Sequence, residues 1–179
     1  MNNLNPIQWA LRPLKNYAKF SGRAARAEFW WFFLFTMVIY FAVILAMGAT
    51  VGGLASINPG SALSSGAIGI LGIVVGLFWL ALFIPMLAVQ IRRLHDINRT
   101  GWWLGGFWLL YVVYLVLIIG IGFRPAMPGV GSAAAAAIIA LAFFAYSIVL
   151  LVFFCLPGTR GANRYGDDPY GADVEQVFA

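Results

Sequence analysis

Four long apolar runs, separated by short polar stretches, set the pattern of the chain. They cover about residues 29–51, 66–91, 102–123 and 132–156. A helix rises about 1.5 Å per residue, so each run is long enough to cross a hydrocarbon core of about 30 Å. The pattern predicts an all-α membrane protein with four transmembrane helices. Trp30 and Trp31 belong at the interface of the first span, where amphipathic rings meet headgroups. Gly52–Ser65 is uncharged and rich in Gly and Ser, which predicts a loop. Gly69, Gly72 and Gly76 form a stripe on the second span that suits close helix packing in lipid, and Pro85 predicts a kink near its inner end. Arg124–Gly129 reads as a turn, and the alanine run 133–137 suits a helix contact. Pro157-Gly158 ends the fourth span.

Polar segments flank this four-helix domain of residues 29–156. Residues 1–28 read as an interfacial segment. Asn5-Pro6 is a helix start, with an N-cap followed by proline at the first helical position. Ile7, Leu11, Leu14 and Ala18 recur at helical spacing, with Arg12, Lys15 and Lys19 on another face, as in a helix lying on a membrane surface. Pro13 is expected to break that helix in two. Ser21 reads as the N-cap of a helix carrying Arg23 and Arg26 on one face. Residues 157–179 form a polar tail.

Composition agrees with the bilayer assignment. Of the 179 residues 63% are hydrophobic and 9% charged, against about 25% charged in a soluble domain. One cysteine, Cys155, permits no intramolecular disulfide, and it reads as a core residue rather than a reactive thiol. The net charge of +5 points to anionic lipid rather than nucleic acid in so apolar a chain. The first apolar run follows a long polar lead without a clean cleavage site, so the first span is expected to stay in the mature protein. Four spans put residues 1–28, the centre of the chain and the tail on one side. Ten of the eleven Lys and Arg residues fall there, and only Arg124 falls opposite. The positive-inside rule then puts both termini in the cytoplasm.

The centre of the chain is a polar knot, Arg92-Arg93-Leu94-His95-Asp96-Ile97-Asn98-Arg99-Thr100-Gly101-Trp102-Trp103. If helical, it pairs Arg92 with Asp96 at i,i+4 and Asp96 with Arg99 at i,i+3. Glu28, at the edge of the hydrocarbon, has Arg26 nearby, with Arg92, Arg93 or Arg164 as partners across the bundle. His95 and Asp96 are adjacent on a helix and so do not face each other, which argues against a catalytic dyad. One His with scattered acids implies neither a metal site nor any cofactor. Trp102 and Trp103 offer a cation–π surface to Arg99. In the tail, Asn163-Arg164-Tyr165-Gly166 reads as a tight turn, with Gly166 free to take φ > 0. A free tail has no use for such a turn, so it is expected to dock against the knot.

Three motifs thus fall on one face: FSGRAAR-x-EFWWF, RRLHDINRTGWW and GANRYGDDP. Together they resemble the bacterial inner-membrane family known as domain of unknown function 805, from about Trp9 to Pro169. Ile97, Asn98 and Thr100 depart from the family's Thr, Gly and Ser. Asn98 is expected to keep the bend, because asparagine tolerates a left-handed conformation. The resemblance implies the architecture, the inner-membrane location and the region of interest. It implies no reaction.

The candidate site is therefore Arg23, Arg26, Glu28, Arg92, Arg93, His95, Asp96, Arg99, Asn163, Arg164 and Asp168. Guanidinium forks suit carboxylate or phosphate. The cluster either locks the fold through its own ion pairs or binds an anionic headgroup or an acidic partner segment. On this reading the protein is a non-catalytic membrane module, whose expected partners are membrane lipids and a second copy or another membrane protein. A small transporter or channel subunit, with Gln90, Pro85 and the glycine stripe lining a path, is the alternative. A membrane enzyme acting on lipid or peptide through His95 with Asp96 or Glu28 is the third reading, and it lacks a recognisable nucleophile.

Overall fold

The computed structural model describes residues 4–57, 62–122 and 130–170. Five helices run through them: α1 (Pro6–Lys15), α2 (Arg26–Ile57), α3 (Ala62–Asp96), α4 (Trp102–Gly122) and α5 (Val130–Cys155). Helices α2 to α5 are each long and apolar enough to cross a membrane. They leave large side chains such as Phe41, Ile70, Val116 and Leu141 more than 60% exposed, a surface suited to lipid. The fold is thus all-α, with four spans preceded by a short amphipathic helix. The expected turn at Arg124–Gly129 lies outside the described residues.

The expected loop at Gly52–Ser65 is largely helix. Helix α2 continues to Ile57 and α3 begins at Ala62. In an apolar environment the backbone must satisfy its own polar groups, which overrides the weak helix preference of Gly and Ser. The hydroxyls follow suit: Ser56 donates to the Gly53 carbonyl at 2.8 Å, and Thr50 to that of Met47 at 2.9 Å.

The chain forms two compact units, one drawn from Met1–Phe20 and Ala27–Val89, the other from Ser21–Arg26 and Gln90–Ala179. In the first, α1 opens with a capping box. The Asn5 side chain accepts from Gln8 N at 2.8 Å, and the Gln8 side chain accepts from Asn5 N at 3.0 Å. Pro13 does not split this helix. It lies in the last turn, where it removes a single intrahelical bond, and its ring is buried with Trp9 and Ala10. Ile7 and Leu11 face outward. Beyond α1, the Tyr17 hydroxyl donates to the Ala81 carbonyl at 2.8 Å. Ala81 is four residues before Pro85, so its carbonyl is the one deprived of a helical donor by the proline. Gly69, Gly72 and Gly76 are not a packing seam within the described residues, since a Cβ at any of them would meet nothing within 4 Å.

In the second unit α4 packs against α5. The contact is aromatic: Phe107 and Tyr111 meet Phe143, and Trp103 meets Phe153 edge-on at 5.0 Å. Tyr146 closes it by donating to the Trp103 carbonyl at 2.7 Å. Cys155, the last residue of α5, is exposed rather than in the core.

Candidate functional site

The site is built on the C-terminal end of α3. The Asn98 N–H donates to the His95 carbonyl at 3.0 Å, and the Arg99 N–H to the Leu94 carbonyl at 2.9 Å. This crossed pair is a Schellman stop, and it needs a left-handed residue between the helix and Arg99. Asn98 supplies it, at φ +58°. Asp96 is therefore the last helical residue, with Arg93 one turn before it.

A strap, Ser21–Ala25, runs beside this helix end. It is not helical: Gly22 takes φ +87°, and Ala24 N–H donates to the Arg92 carbonyl at 3.1 Å. The expected helical face carrying Arg23 and Arg26 is therefore absent, because a left-handed glycine interrupts the helix path just before Arg23. Ala24 and Ala25 are fully buried. Arg23 points to Asp96, with Nε 2.9 Å and Nη2 2.9 Å from Oδ1. Arg26, at the start of α2, is exposed and forms no ion pair among the described residues.

Asp96 is the hub. Its side chain is 1% exposed, and it takes Arg23 on Oδ1 and Arg93 on Oδ2. The sequence spacing pointed to Arg92 and Arg99 as its partners. The winning geometry is Arg93 at i,i+3 on the same helix face, joined by the strap arginine. Arg99 lies beyond the helix stop and cannot use a helical register. The remaining donors of both arginines go to backbone carbonyls. Arg93 donates to those of Phe154 and Leu156 at the end of α5, where helix carbonyls lack intrahelical partners. Arg23 donates to Gly161 at 2.6 Å and also to Thr159. Asp168, 4.0 Å from Arg23, adds a second acid. Two buried guanidiniums thus meet two carboxylates.

The tail completes the cluster. Thr159 donates to the Asp96 carbonyl from its N–H at 2.9 Å and from its hydroxyl at 3.0 Å. Asn163 and Gly166 pair reciprocally at 3.0 Å, with Gly166 at φ +133°. This turn docks on the knot: Asn163 Nδ2 donates to the His95 carbonyl at 3.0 Å, and Arg164 Nη2 to the Asn98 carbonyl at 3.0 Å. Asp168 ties the tail to itself, accepting from Gly161 N at 3.0 Å and from Tyr170 N at 2.9 Å.

His95 is held on two sides. Its Nδ1 lies 3.1 Å from the Gly22 carbonyl, so that nitrogen carries the proton. Its ring stacks on Tyr165 at 3.8 Å, with planes 2° apart. Arg92 is buried. Glu28 belongs to the other unit and is 3.6 Å from Arg12, which the sequence placed on the polar face of a membrane-surface helix. Among the described residues no group of three His, Cys, Asp or Glu could hold a metal.

Three participants are absent from the sequence-derived set. A Cβ on Gly158 would overlap the Asp96 carboxylate. Thr159 caps the same residue, and Tyr165 covers His95. Pro157-Gly158 signalled only a helix end, and nothing in the sequence said which side chain would fill the space above the glycine.

A family model described as "Protein of unknown function (DUF805)" matches residues 17–167. The chain belongs to the DUF805 family. Two Escherichia coli K12 proteins are similar to this chain over nearly their whole length. Inner membrane protein YhaI is 34% identical over 171 residues, covering 91% of this chain and 96% of YhaI. Inner membrane protein YhaH is 31% identical over 163 residues, covering 91% of this chain and 97% of YhaH. No solved structure matches. Four membrane-spanning helices in a DUF805 chain with inner-membrane relatives make this an integral inner-membrane protein.

Proposed function

We propose that the protein is a non-catalytic membrane module whose polar end is a fixed platform, locked by the Arg23–Asp96–Arg93 network and oriented to the cytoplasm. One observation carries the reading: Asp96 and both its arginines are almost fully buried, Asp168 supplies the second carboxylate 4.0 Å from Arg23, and the spare guanidinium donors are spent on carbonyls of α5 and the tail. A cluster in that state has no unsatisfied charge to offer a substrate. His95, held by Gly22 and Tyr165, is likewise a structural ring. Both termini are cytoplasmic on this reading, which rests on the ten-to-one distribution of basic residues.

The test is stability. Asp96→Asn leaves two buried guanidiniums without their carboxylate and should cost about 3–5 kcal/mol. That would appear as a large drop in thermal midpoint for the purified protein in detergent. An unchanged midpoint would overturn the lock. Orientation is tested by a reporter fused after Ala179, and a translocated C-terminus would overturn the topology.

A further inference from the structure

We propose that Arg99, Arg164 and the exposed Trp102 form a site for the phosphodiester headgroup of an anionic phospholipid. The site rests on the platform reading, because it uses arginines that the network leaves on the outside.

The two arginines are held, yet not neutralised. The Arg164 guanidinium lies 4.7 Å from the centre of the Tyr165 ring, and one of its nitrogens is fixed by the Asn98 carbonyl. Arg99 is the next residue after Asn98, and its guanidinium lies over Trp103 at 5.9 Å and Phe153 at 5.6 Å. Both are exposed, and neither forms an ion pair among the described residues. Stacking on aromatic faces fixes a guanidinium plane while leaving its edge donors outward. An anion arriving there meets side chains that have already lost much of their freedom, which lowers the entropic cost of binding.

Charge and position define the ligand. In this unit Arg26, Arg99, Arg160 and Arg164 are exposed, against the single exposed acid Asp167 among the described residues, while Asp168 is occupied by backbone N–H groups. The patch is therefore cationic. Arg99 lies between the last residue of one span, Asp96, and the first of the next, Trp102. That is the level of the headgroups. Trp102 is 83% exposed and Leu156 42% exposed, so apolar surface adjoins the span ends. A free phosphate would use the guanidiniums alone. A phospholipid would use the guanidiniums and the apolar surface together.

The test uses the full chain in a zwitterionic detergent, with retention of added short-chain phosphatidylglycerol read by native mass spectrometry. Phosphatidylcholine and inorganic phosphate are the comparison probes. Phosphatidylglycerol should be retained, and Arg99→Ala and Arg164→Gln should each weaken it about fivefold, the effect of one basic residue near an anionic surface. The thermal midpoint of the Arg99 variant should not move, which separates this site from the buried lock. Undiminished retention in Arg99→Ala, or equal retention of phosphatidylcholine, would overturn the proposal. Displacement of the lipid by equimolar inorganic phosphate would overturn the assignment to a lipid.

Discussion

Gly158 has no room for a side chain, because the space a Cβ would need is filled by the Asp96 carboxylate. Its hydrogen is what lets the chain leaving α5 pass over the end of α3. Gly158→Ala should therefore push Asp96 off one of its arginines and destabilise the protein by about 1–3 kcal/mol, the range for disturbing a buried polar partner. Thermal unfolding in detergent checks this, and a Gly158→Ala midpoint equal to wild type would show that the carboxylate can move aside. Asn98 makes the opposite prediction. Its φ of +58° is the conformation glycine accepts without strain. Asn98→Gly should leave stability within about 1 kcal/mol of wild type, whereas Asn98→Val should lower it by about 1–2 kcal/mol, as a β-branched residue resists the left-handed region. Asn98 was legible in the sequence because a helix stop has its own chemistry. The pairing of Asp96 was not. Spacing offered Arg92 and Arg99, whereas the observed partners are Arg93 at i,i+3 and Arg23, 73 positions away.

At the scale of the element, α3 carries a proline within its spanning part and continues through it. The Ala81 carbonyl loses its helical donor there and gains the Tyr17 hydroxyl. In lipid an unanswered carbonyl is costly, so Tyr17 is expected to matter more than its exposed position implies. Tyr17→Phe should destabilise the wild-type protein by about 0.5–1.5 kcal/mol. The same change in a Pro85→Ala background, where the helical donor is restored, should cost less. A double-mutant cycle measures the difference, and no coupling would refute the assignment. The helices themselves were easy to read, since apolar runs of membrane length leave few alternatives. Their ends were harder. Gly52–Ile57 and Ala62–Ser65 have loop composition, yet they are helical because the surroundings forbid open backbone. Ser21–Ala25 has helix-like composition, yet it is a strap because Gly22 turns left-handed and Ala24 bonds to Arg92. In both segments, context outranked propensity.

For the whole molecule, two kinds of arginine should separate by their response to salt. Arg23 and Arg93 are buried with their carboxylate, where mobile ions screen little. Arg99 and Arg164 face outward, where screening is strong. Raising salt from about 0.05 M to about 0.5 M should leave the thermal midpoint nearly constant and weaken anionic-lipid retention several-fold. A midpoint that fell in parallel with retention would mean that the outer arginines also hold the fold together.

The strap has a further consequence, for the order in which the protein matures. Arg23 is made early, yet two of the groups it binds, Thr159 and Gly161, are 136 and 138 residues later. All four spans are synthesised before these acceptors exist. Insertion into the membrane and completion of the polar hub are thus separate events, and the second waits for Thr159 and Gly161 to emerge. A chain stopped after Leu156 should still insert its helices while leaving Arg23 without its carbonyl acceptors. In a pulse–chase experiment it should reach the membrane at the normal rate and then be degraded faster than the full chain. The segment that carries Thr159 and Gly161 is in this sense the group that closes the hub after the spans are in place.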